Sequence, residues 1–301
     1  MRQGVKLFSG QSGKLSLYAR EKQHMVYKRG NTMRKVISKD GTPIAFDQSG
    51  HGPPIILVAG ATATRLAEAS LAAALAPHFT VFAYDRRGRG ESGDTAPYAV
   101  EREVEDIDAL ITEAGGSAFV FGHSSGAVLA LEAARLLPTK ITKLALYEPP
   151  FIIDDSRPPA PEDYARHLTE LVSSGRRDEA VAYFMTEVGT PPEIVAQMRQ
   201  SPMWPALEEV AHTLAYDATI MGDTQRGDPS TLRKWASVTV PTLVMDGTVF
   251  LGRAESHVFL HHAAQELVTI LPHAQHRTLE GQDHGPADEV LAPALEEFFL
   301  S

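Results

Sequence analysis

The segment Gly122-His123-Ser124-Ser125-Gly126 lies directly between a short apolar run and a helical pattern. The run Ala118–Gly122 has the length and composition of a strand buried on both faces, whereas Ala127–Leu137 is typical of a helix. A turn tight enough to join them leaves no room for side chains two positions before and after the serine, and glycine stands at both. The sequence therefore predicts a sharp strand–turn–helix with Ser124 at its apex.

Short apolar runs alternate with helical stretches along most of the chain, as in a parallel sheet that has helices on both faces. Asp40-Gly41 predicts a hairpin between the first two strands. We therefore predict an α/β fold, a doubly wound and mostly parallel sheet. The predicted strands are Lys35–Ser38, Pro43–Asp47, Ile55–Val58, Thr80–Tyr84, Ala118–Gly122, Lys143–Tyr147, Pro241–Met245 and Gln275–Leu279, and the predicted helices of the sheet domain are Leu66–Leu75, Val100–Ala114, Ala127–Leu137, Glu255–Leu267 and Pro286–Leu300.

The alternation stops after Glu148-Pro149-Pro150 and resumes at Pro241. Residues 151–235 are mostly helical and are punctuated by prolines, which predicts a helical lid inserted into a core formed by residues 33–150 and 236–301. Residues 1–32 carry seven Lys/Arg and one Glu, a charge of +6. We expect them to form a loosely held, disordered basic arm, and whether they belong to the native protein stays open.

Charge and composition limit the partners of the chain. The net charge is -10, so residues 33–301 carry about -16, a poor match to nucleic acid or to an anionic membrane. The absence of Cys excludes a thiol nucleophile, disulfides and thiolate metal sites, and no stretch approaches the roughly 20 apolar residues of a membrane span. With no secretory signal pattern in the first 34 residues, we expect a cytoplasmic protein that acts on a small molecule, in an oligomeric state that stays open.

A serine hydroxyl is a poor nucleophile and needs a neighbouring base. The chain has 12 histidines, of which His284 lies in the loop after the last predicted strand and before the last helix. His273 and His276 lie before or within that strand. His284 is therefore the candidate base that the resemblance described below supports.

A metal site is not predicted. His257 and His261 are four residues apart on a predicted helix and could bind a metal if a third ligand joined them. Nothing in the sequence supplies that ligand, so we interpret them as a solvated face.

Taken together, the residues from about Met33 to Leu300 resemble the α/β-hydrolase superfamily, in particular small bacterial hydrolases of actinobacterial type. The resemblance implies a Ser–His–acid mechanism without metal or cofactor, with the base in the loop after the last strand. Its motifs are Asp85-Arg86-Arg87-Gly88-Arg89-Gly90, Gly122–Gly126, Tyr147-Glu148-Pro149-Pro150-Phe151 and Pro241-Thr242-Leu243-Val244. The first of these lacks the Lys-Ser/Thr ending of a phosphate loop, so we predict a structural turn whose charged side chains cross-link neighbouring loops.

The carboxylate that would orient His284 does not stand at the position that is most common in the superfamily. The superfamily most often takes it from a position about three residues beyond the glycine of the strand after the lid, and Phe250 stands at that position here. Asp246 precedes the glycine and is expected to point elsewhere. The alternative position, after the strand that follows the nucleophile, holds Glu148, which we predict to be the acid; the competing interpretation is a glutamate of the lid hinge. The placement of Glu148 is also similar to that in lactonases acting on zearalenone.

The remaining predictions concern the oxyanion hole and the substrate pocket. The resemblance implies backbone N–H donors from Ala61 and Ser125 for the oxyanion hole. Trp204, Met203 and Tyr216 in the predicted lid are candidates for the pocket wall, and a role in the lid's own core is equally compatible with their apolar character.

We therefore predict a cofactor-free serine hydrolase that cleaves a carboxylic ester or lactone through Ser124, His284 and Glu148. Two other readings stay open. One is another reaction on the same fold: perhydrolysis, hydroxynitrile cleavage or carbon–carbon bond hydrolysis. The other is a receptor-like protein that binds a ligand and retains only vestigial hydrolysis.

Overall fold

A computed structural model describes residues 33–249 and 258–301 of the chain. Within these ranges eight strands form one sheet in the order β1-β2-β4-β3-β5-β6-β7-β8. β1 and β2 pair antiparallel, as do β2 and β4, and the other neighbours are parallel. The predicted fold class is confirmed. The strands are β1 (Arg34–Ile37), β2 (Pro43–Gly50), β3 (Pro54–Val58), β4 (Thr80–Tyr84), β5 (Ala118–His123), β6 (Ile141–Tyr147), β7 (Thr242–Gly247) and β8 (Ala274–Leu279).

Helices cover both faces of the sheet, because its central strands are apolar on both sides. One face packs against α1 (Ala69–Leu75) and α10 (Asp288–Leu300) around Leu75, Phe79 and Leu295. The other packs against α2 (Val100–Glu113), α3 (Ser125–Leu136) and α9 (Val258–Ile270).

Five helices lie between β6 and β7 and have a hydrophobic cluster of their own, which includes Leu168, Val181, Trp204 and Leu214. They are α4 (Tyr164–Ser173), α5 (Arg177–Glu187), α6 (Pro192–Met198), α7 (Trp204–Glu209) and α8 (Leu214–Met221), followed by a 3-10 helix at Pro229–Trp235. Trp235 stacks near Phe151, with ring centroids 5.3 Å apart, and both belong to the core of the sheet domain. The helical insertion therefore leaves and re-enters the sheet domain at one place.

Helix α1 begins three residues later than the sequence predicts. Arg65 forms ion pairs with Asp47 and Asp85, and Asp85 also accepts a 2.7 Å hydrogen bond from the Arg65 backbone N–H. These contacts hold the residues before α1 in turns, so tertiary ion pairs override the local helical pattern. No helix in the described ranges is both long enough and apolar enough to span a membrane.

Candidate active site

The turn at Ser124 has the geometry that its sequence predicts. Ser124 lies between β5 and α3 with φ 55° and ψ -125°, and its N–H donates to the Tyr147 carbonyl over 3.0 Å. A Cβ on Gly126 would lie 2.2 Å from the Val58 carbonyl oxygen, and one on Gly122 would lie 2.5 Å from the Gly126 oxygen. Both glycines are therefore required by close backbone approach.

Glu148 follows β6 on the neighbouring strand and is fully buried. Its carboxylate has two partners: Oε1 accepts from the Gly247 N–H over 2.9 Å, and Oε2 lies 2.6 Å from Nδ1 of His284. Because a carboxylate only accepts, Nδ1 of His284 carries the ring proton and Nε2 is left as the basic nitrogen.

His123 holds the loop that carries His284 through a hydrogen bond to its backbone. Nε2 of His123 lies 2.7 Å from the His284 carbonyl oxygen, so it is the protonated nitrogen of that ring. Burial, together with the nearby His284, lowers the pKa of His123 to about 3, which keeps it neutral. The Tyr147 hydroxyl also donates to the Asp283 carbonyl over 2.6 Å. His123 and Tyr147, which belong to strands of the sheet, thus hold the backbone of the loop that carries His284.

Backbone strain is concentrated around this site. Among the described residues, three that are not glycine have positive φ: Thr62 at 61°, Ser124 at 55° and Glu148 at 46°. Left-handed backbone at non-glycine residues is costly and tends to cluster at functional sites. The three strained residues stand in the loop after β3, at the serine turn, and at the end of β6.

The loop after β3 and the start of α3 are the predicted sources of oxyanion donors. Ala61 and Ser125 both line the same cavity as Ser124 and His284. Ser125 is the first residue of α3, where backbone N–H groups lack intrahelical partners and the helix dipole is positive. The position is suited to stabilising negative charge.

The charged turn after β4, residues 85–90, forms a buried ion-pair network. Arg86 binds Glu103 through two 2.8 Å hydrogen bonds and Asp217 through a third of the same length. Arg89 donates to Asp217 over 2.6 Å and to the Gly60 carbonyl over 2.6 Å. The turn cross-links the loop after β3 to helix α8, as predicted from its sequence.

Asp217 is the shared acceptor of that network. It is buried, which raises its pKa, but Arg89 and Arg86 outweigh that effect and the net pKa is lowered. The carboxylate is therefore charged at neutral pH, and it also accepts a 2.7 Å hydrogen bond from the Ser125 hydroxyl.

Asp246 points away from His284. Its Oδ2 lies 2.5 Å from Nδ1 of His261 and its Oδ1 lies 3.0 Å from Nε2 of His276. Phe250, the residue at the more usual acid position, lies outside the described residues. Glu148 and Asp246 are the two carboxylates that the sequence offers at the ends of β6 and β7. Of these two, Glu148 contacts His284.

A family model described as the alpha/beta hydrolase family matches residues 55–294. That match covers well over half of the chain. The chain belongs to the alpha/beta hydrolase family.

The chain is similar to several proteins of known sequence or structure. An alpha/beta hydrolase from Sphaerobacter thermophilus is 55% identical, with a TM-score of 0.80 over 88% of this chain and 100% of that one. An uncharacterised hydrolase of Bacillus subtilis is 34% identical over 113 residues, which are 36% of this chain and 42% of the relative. An N-formylmaleamate deformylase of Pseudomonas putida is 33% identical over 104 residues, 34% of this chain and 39% of the relative. The chain thus spans about two fifths of the length of the curated relatives it matches.

A cavity of about 820 Å³ lies between the carboxyl edge of the sheet and the helical insertion. Its walls combine residues of the sheet domain with residues of the insertion. Among them are Gly60, Ala61, His123, Ser124, Ser125, Ile152, Arg157, Tyr164, Phe184, Glu187, Met221, Phe259 and His284.

The three predicted pocket residues of the lid lie elsewhere, which corrects that expectation. Trp204 is buried in the insertion's own core and donates to Asp178 over 2.9 Å. Met203 is 56% exposed. Tyr216 stacks on Tyr98 at 3.9 Å between ring centroids and donates to Asp94. Trp204 and Tyr216 thus pack against other side chains, and Met203 is exposed. None of the three lines the cavity wall.

Two residues that support the candidate site, Asp217 and His123, were not identified from the sequence. Asp217 is a charged residue in the otherwise apolar run Leu214–Met221, a signal of a buried partner. His123 stands inside the serine motif, but its role depends on a loop 161 residues further along the chain.

Proposed function

We propose that the chain is a serine hydrolase that cleaves carboxylic esters or lactones through Ser124, His284 and Glu148. The observation that carries the proposal is the 2.6 Å contact between the buried Glu148 and Nδ1 of His284, which lines the same cavity as Ser124. The contact occupies Nδ1 of His284 and leaves Nε2 to accept a proton, which supports a role for His284 as the base that activates Ser124.

In the proposed reaction, the Ser124 hydroxyl oxygen attacks the ester carbonyl while its proton passes to Nε2 of His284. Glu148 stabilises the resulting imidazolium, and the Ala61 and Ser125 N–H groups hold the oxyanion. The proton then goes to the leaving alkoxide as its bond to the carbonyl carbon breaks. His284 then deprotonates a water molecule that attacks the acyl-enzyme carbonyl, and the same proton returns to the Ser124 oxygen as its bond to the acyl carbon breaks and the acid is released. For a lactone, the alcohol and the acid are parts of one product molecule.

A fluorophosphonate probe tests the nucleophile. It should label the wild-type protein and fail to label Ser124→Ala. Ser156→Ala is a matched control, because Ser156 also lines the cavity and should leave labelling intact. Persistent labelling of Ser124→Ala would refute the assignment.

The acid is tested by comparing Glu148→Gln with Asp246→Asn on an ester that the wild type turns over. Both carboxylates contact a histidine, but only Glu148 contacts His284. The proposal expects a fall in kcat of about 10³-fold or more for Glu148→Gln and a smaller fall for Asp246→Asn. A larger loss in Asp246→Asn would reassign the acid.

Cleavage of a formyl amide is a second candidate, favoured by the similarity to the N-formylmaleamate deformylase. The same groups can attack an amide carbonyl, with His284 protonating the leaving nitrogen. A panel of matched esters, lactones and N-formyl amides separates the two candidates by their relative kcat/KM. Turnover at the background rate across the whole panel would instead favour a ligand-binding protein.

A further inference from the structure

Three potential metal ligands from three different elements meet at the carboxyl end of β7. Asp246 stands on β7, His261 on α9 and His276 on β8. Their candidate ligand atoms, a carboxylate oxygen, Nδ1 of His261 and Nε2 of His276, all lie within 4.8 Å of one another. Within residues 33–249 and 258–301 this is the group of three such ligands that the fold brings together.

The composition of the cluster selects a class of ion. Two imidazoles and one carboxylate suit zinc and its neighbours in the first transition row, whereas calcium and magnesium prefer oxygen alone. The Asp246 side chain is fully buried, while the side chains of His261 and His276 are 37% and 22% exposed. The carboxylate is therefore anchored, and the imidazoles are accessible from solvent.

The distances fit binding after a small adjustment. The Asp246–His261 and Asp246–His276 contacts are 2.5 and 3.0 Å in the metal-free arrangement. Ligands about 2.0–2.2 Å from a tetrahedral ion are about 3.3–3.6 Å apart, so the two contacts need to open by about 1 Å or less. An ion would replace the two protons that join the imidazoles to the carboxylate.

We propose that Asp246, His261 and His276 bind one divalent transition-metal ion, of the zinc class, with the fourth position left to water. The ion would tie β7, β8 and α9 together beside the site without entering it. Gly247, the residue after Asp246, donates its N–H to Glu148. The bound ion would therefore lie one residue away from a hydrogen bond that holds the proposed catalytic acid. Binding to the folded state alone raises stability by mass action.

The test uses the full-length protein, stripped of metal with a chelator and titrated with Co²⁺ and with Zn²⁺. The expected result is one equivalent of Co²⁺ bound with the visible absorption of a four-coordinate histidine site, displaced by Zn²⁺. Both ions should raise the unfolding temperature. His261→Ala and His276→Ala should each weaken binding by about tenfold or more, about 1.4 kcal/mol.

His262→Ala is the matched control. His262 lies next to His261 on α9 and contacts Asp154 over 2.5 Å, but no second histidine joins that pair among the described residues. The control should bind as tightly as the wild type. Binding that survives in the His261→Ala/His276→Ala double variant, or that is lost equally in His262→Ala, would overturn the proposal, as would millimolar affinity in the wild type.

A separate observation concerns Arg157, which lines the catalytic cavity. Its guanidinium lies over the Phe259 ring at 4.7 Å from the centroid and donates to the Glu187 carbonyl oxygen. Among the described residues no carboxylate oxygen lies within 4.0 Å of it, in contrast to the paired Arg86 and Arg89. The stacking and the carbonyl contact hold an arginine with unused donors at the cavity wall.

From this we infer, on the basis of the proposed function, that Arg157 binds a carboxylate of the substrate, so that the preferred substrates are half-esters or half-amides of dicarboxylic acids. A planar guanidinium can bind a carboxylate through two parallel hydrogen bonds. Glu187 also lines the cavity, and its carboxylate is close enough to attract the Arg157 charge, so a substrate carboxylate competes with it for the guanidinium.

The test compares a succinate half-ester with a neutral analogue of the same size. Arg157→Met should lower kcat/KM for the half-ester by about 10–100-fold and change the neutral ester much less, because hydrogen bonds to charged groups contribute about 1.5–3 kcal/mol. Arg177→Met is the control, an exposed arginine of the insertion that donates to two carbonyl oxygens. Equal losses for the two substrates would contradict the inference.

A second readout needs no turnover and so separates this inference from the proposed function. Succinate binding, measured by calorimetry, should weaken about tenfold in Arg157→Met and stay unchanged in Arg177→Met. Equal binding by wild type and Arg157→Met would overturn the inference even if esterase activity is found.

Discussion

The hydroxyl of Ser125 donates a 2.7 Å hydrogen bond to Oδ1 of Asp217. Ser125 is the first residue of the helix behind the serine turn, and Asp217 belongs to helix α8 of the insertion. The same carboxylate accepts from Arg86 and Arg89, and Arg89 in turn holds the Gly60 carbonyl. One buried charge therefore connects the insertion, the start of α3 and the loop after β3.

We expect Asp217→Asn to be strongly destabilising, because it leaves two buried guanidinium groups without their shared counter-charge. The expected loss is about 3–5 kcal/mol in the free energy of unfolding, measured by urea denaturation. Asp178→Asn is the control: Asp178 also pairs with an arginine, but the side chains of the pair are 48% and 38% exposed. Its expected loss is about 0–1 kcal/mol. Similar losses in both variants would argue against a buried network.

His123→Phe should lower activity while leaving Ser124 in place. The substitution removes the donor to the His284 carbonyl and leaves that oxygen unpaired, at a cost of about 1–3 kcal/mol. Since the loop carries the base, we expect kcat to fall more than KM rises. His273→Phe is matched, because His273 also donates to a carbonyl, that of Thr239 over 2.8 Å, but on an exposed surface. Equal kinetics for both variants would show that His123 does not position the loop.

Glu68 should make stability depend on pH. Burial, and to a lesser degree Asp288, raises the pKa of Glu68 to about 7 from 4.5. Between these values the folded state keeps the proton and the unfolded state releases it, so stability falls as pH rises and levels off above about pH 7. The total is about 3 kcal/mol.

The measurement is urea unfolding from pH 4.5 to 8 for the wild type and Glu68→Gln. The variant should lose that part of the pH dependence and be the more stable protein at pH 8. Asp288→Asn removes the neighbouring charge and should reduce the dependence in part. A wild type whose slope between pH 4.5 and 7 is unchanged by Glu68→Gln would contradict the assignment.

Gly247→Ala should disturb the site more than the fold. A Cβ there would lie 2.2 Å from the Gln282 carbonyl oxygen, in the loop that carries His284. Displacement of that loop by about 1 Å is expected to lower kcat/KM about 10²-fold. Gly41→Ala is the control, since Gly41 has a φ of 89° but no atom within 4 Å of its Cβ position. It should cost stability through backbone strain and leave kcat/KM unchanged; an equal effect of both on kcat/KM would contradict this prediction.

The order of elements could be predicted because it depends on local patterns. Short runs of four or five residues, most of them apolar and separated by helical patterns, identified the strands and helices of the sheet domain to within a few residues. The late start of α1 could not be predicted, because it depends on Arg65 pairing with Asp47 and Asp85. Met203, Trp204 and Tyr216 do not line the cavity for a similar reason: the apolar character of a residue in the insertion does not decide whether it faces the cavity, the insertion's own core or solvent.

The sequence alone determined the turn at Ser124, since two glycines and two flanking patterns permit little else, and it also indicated His284 from its position after the last strand. Only the tertiary structure decided which groups meet. Glu148 and Asp246 are both carboxylates at the ends of neighbouring strands, and the direction of each side chain follows from backbone geometry at the sheet edge. Glu148, at φ 46°, contacts His284, whereas Asp246 faces His261 and His276. Contacts across 136 residues, such as the first, depend on the packing of the whole sheet and have no local signature.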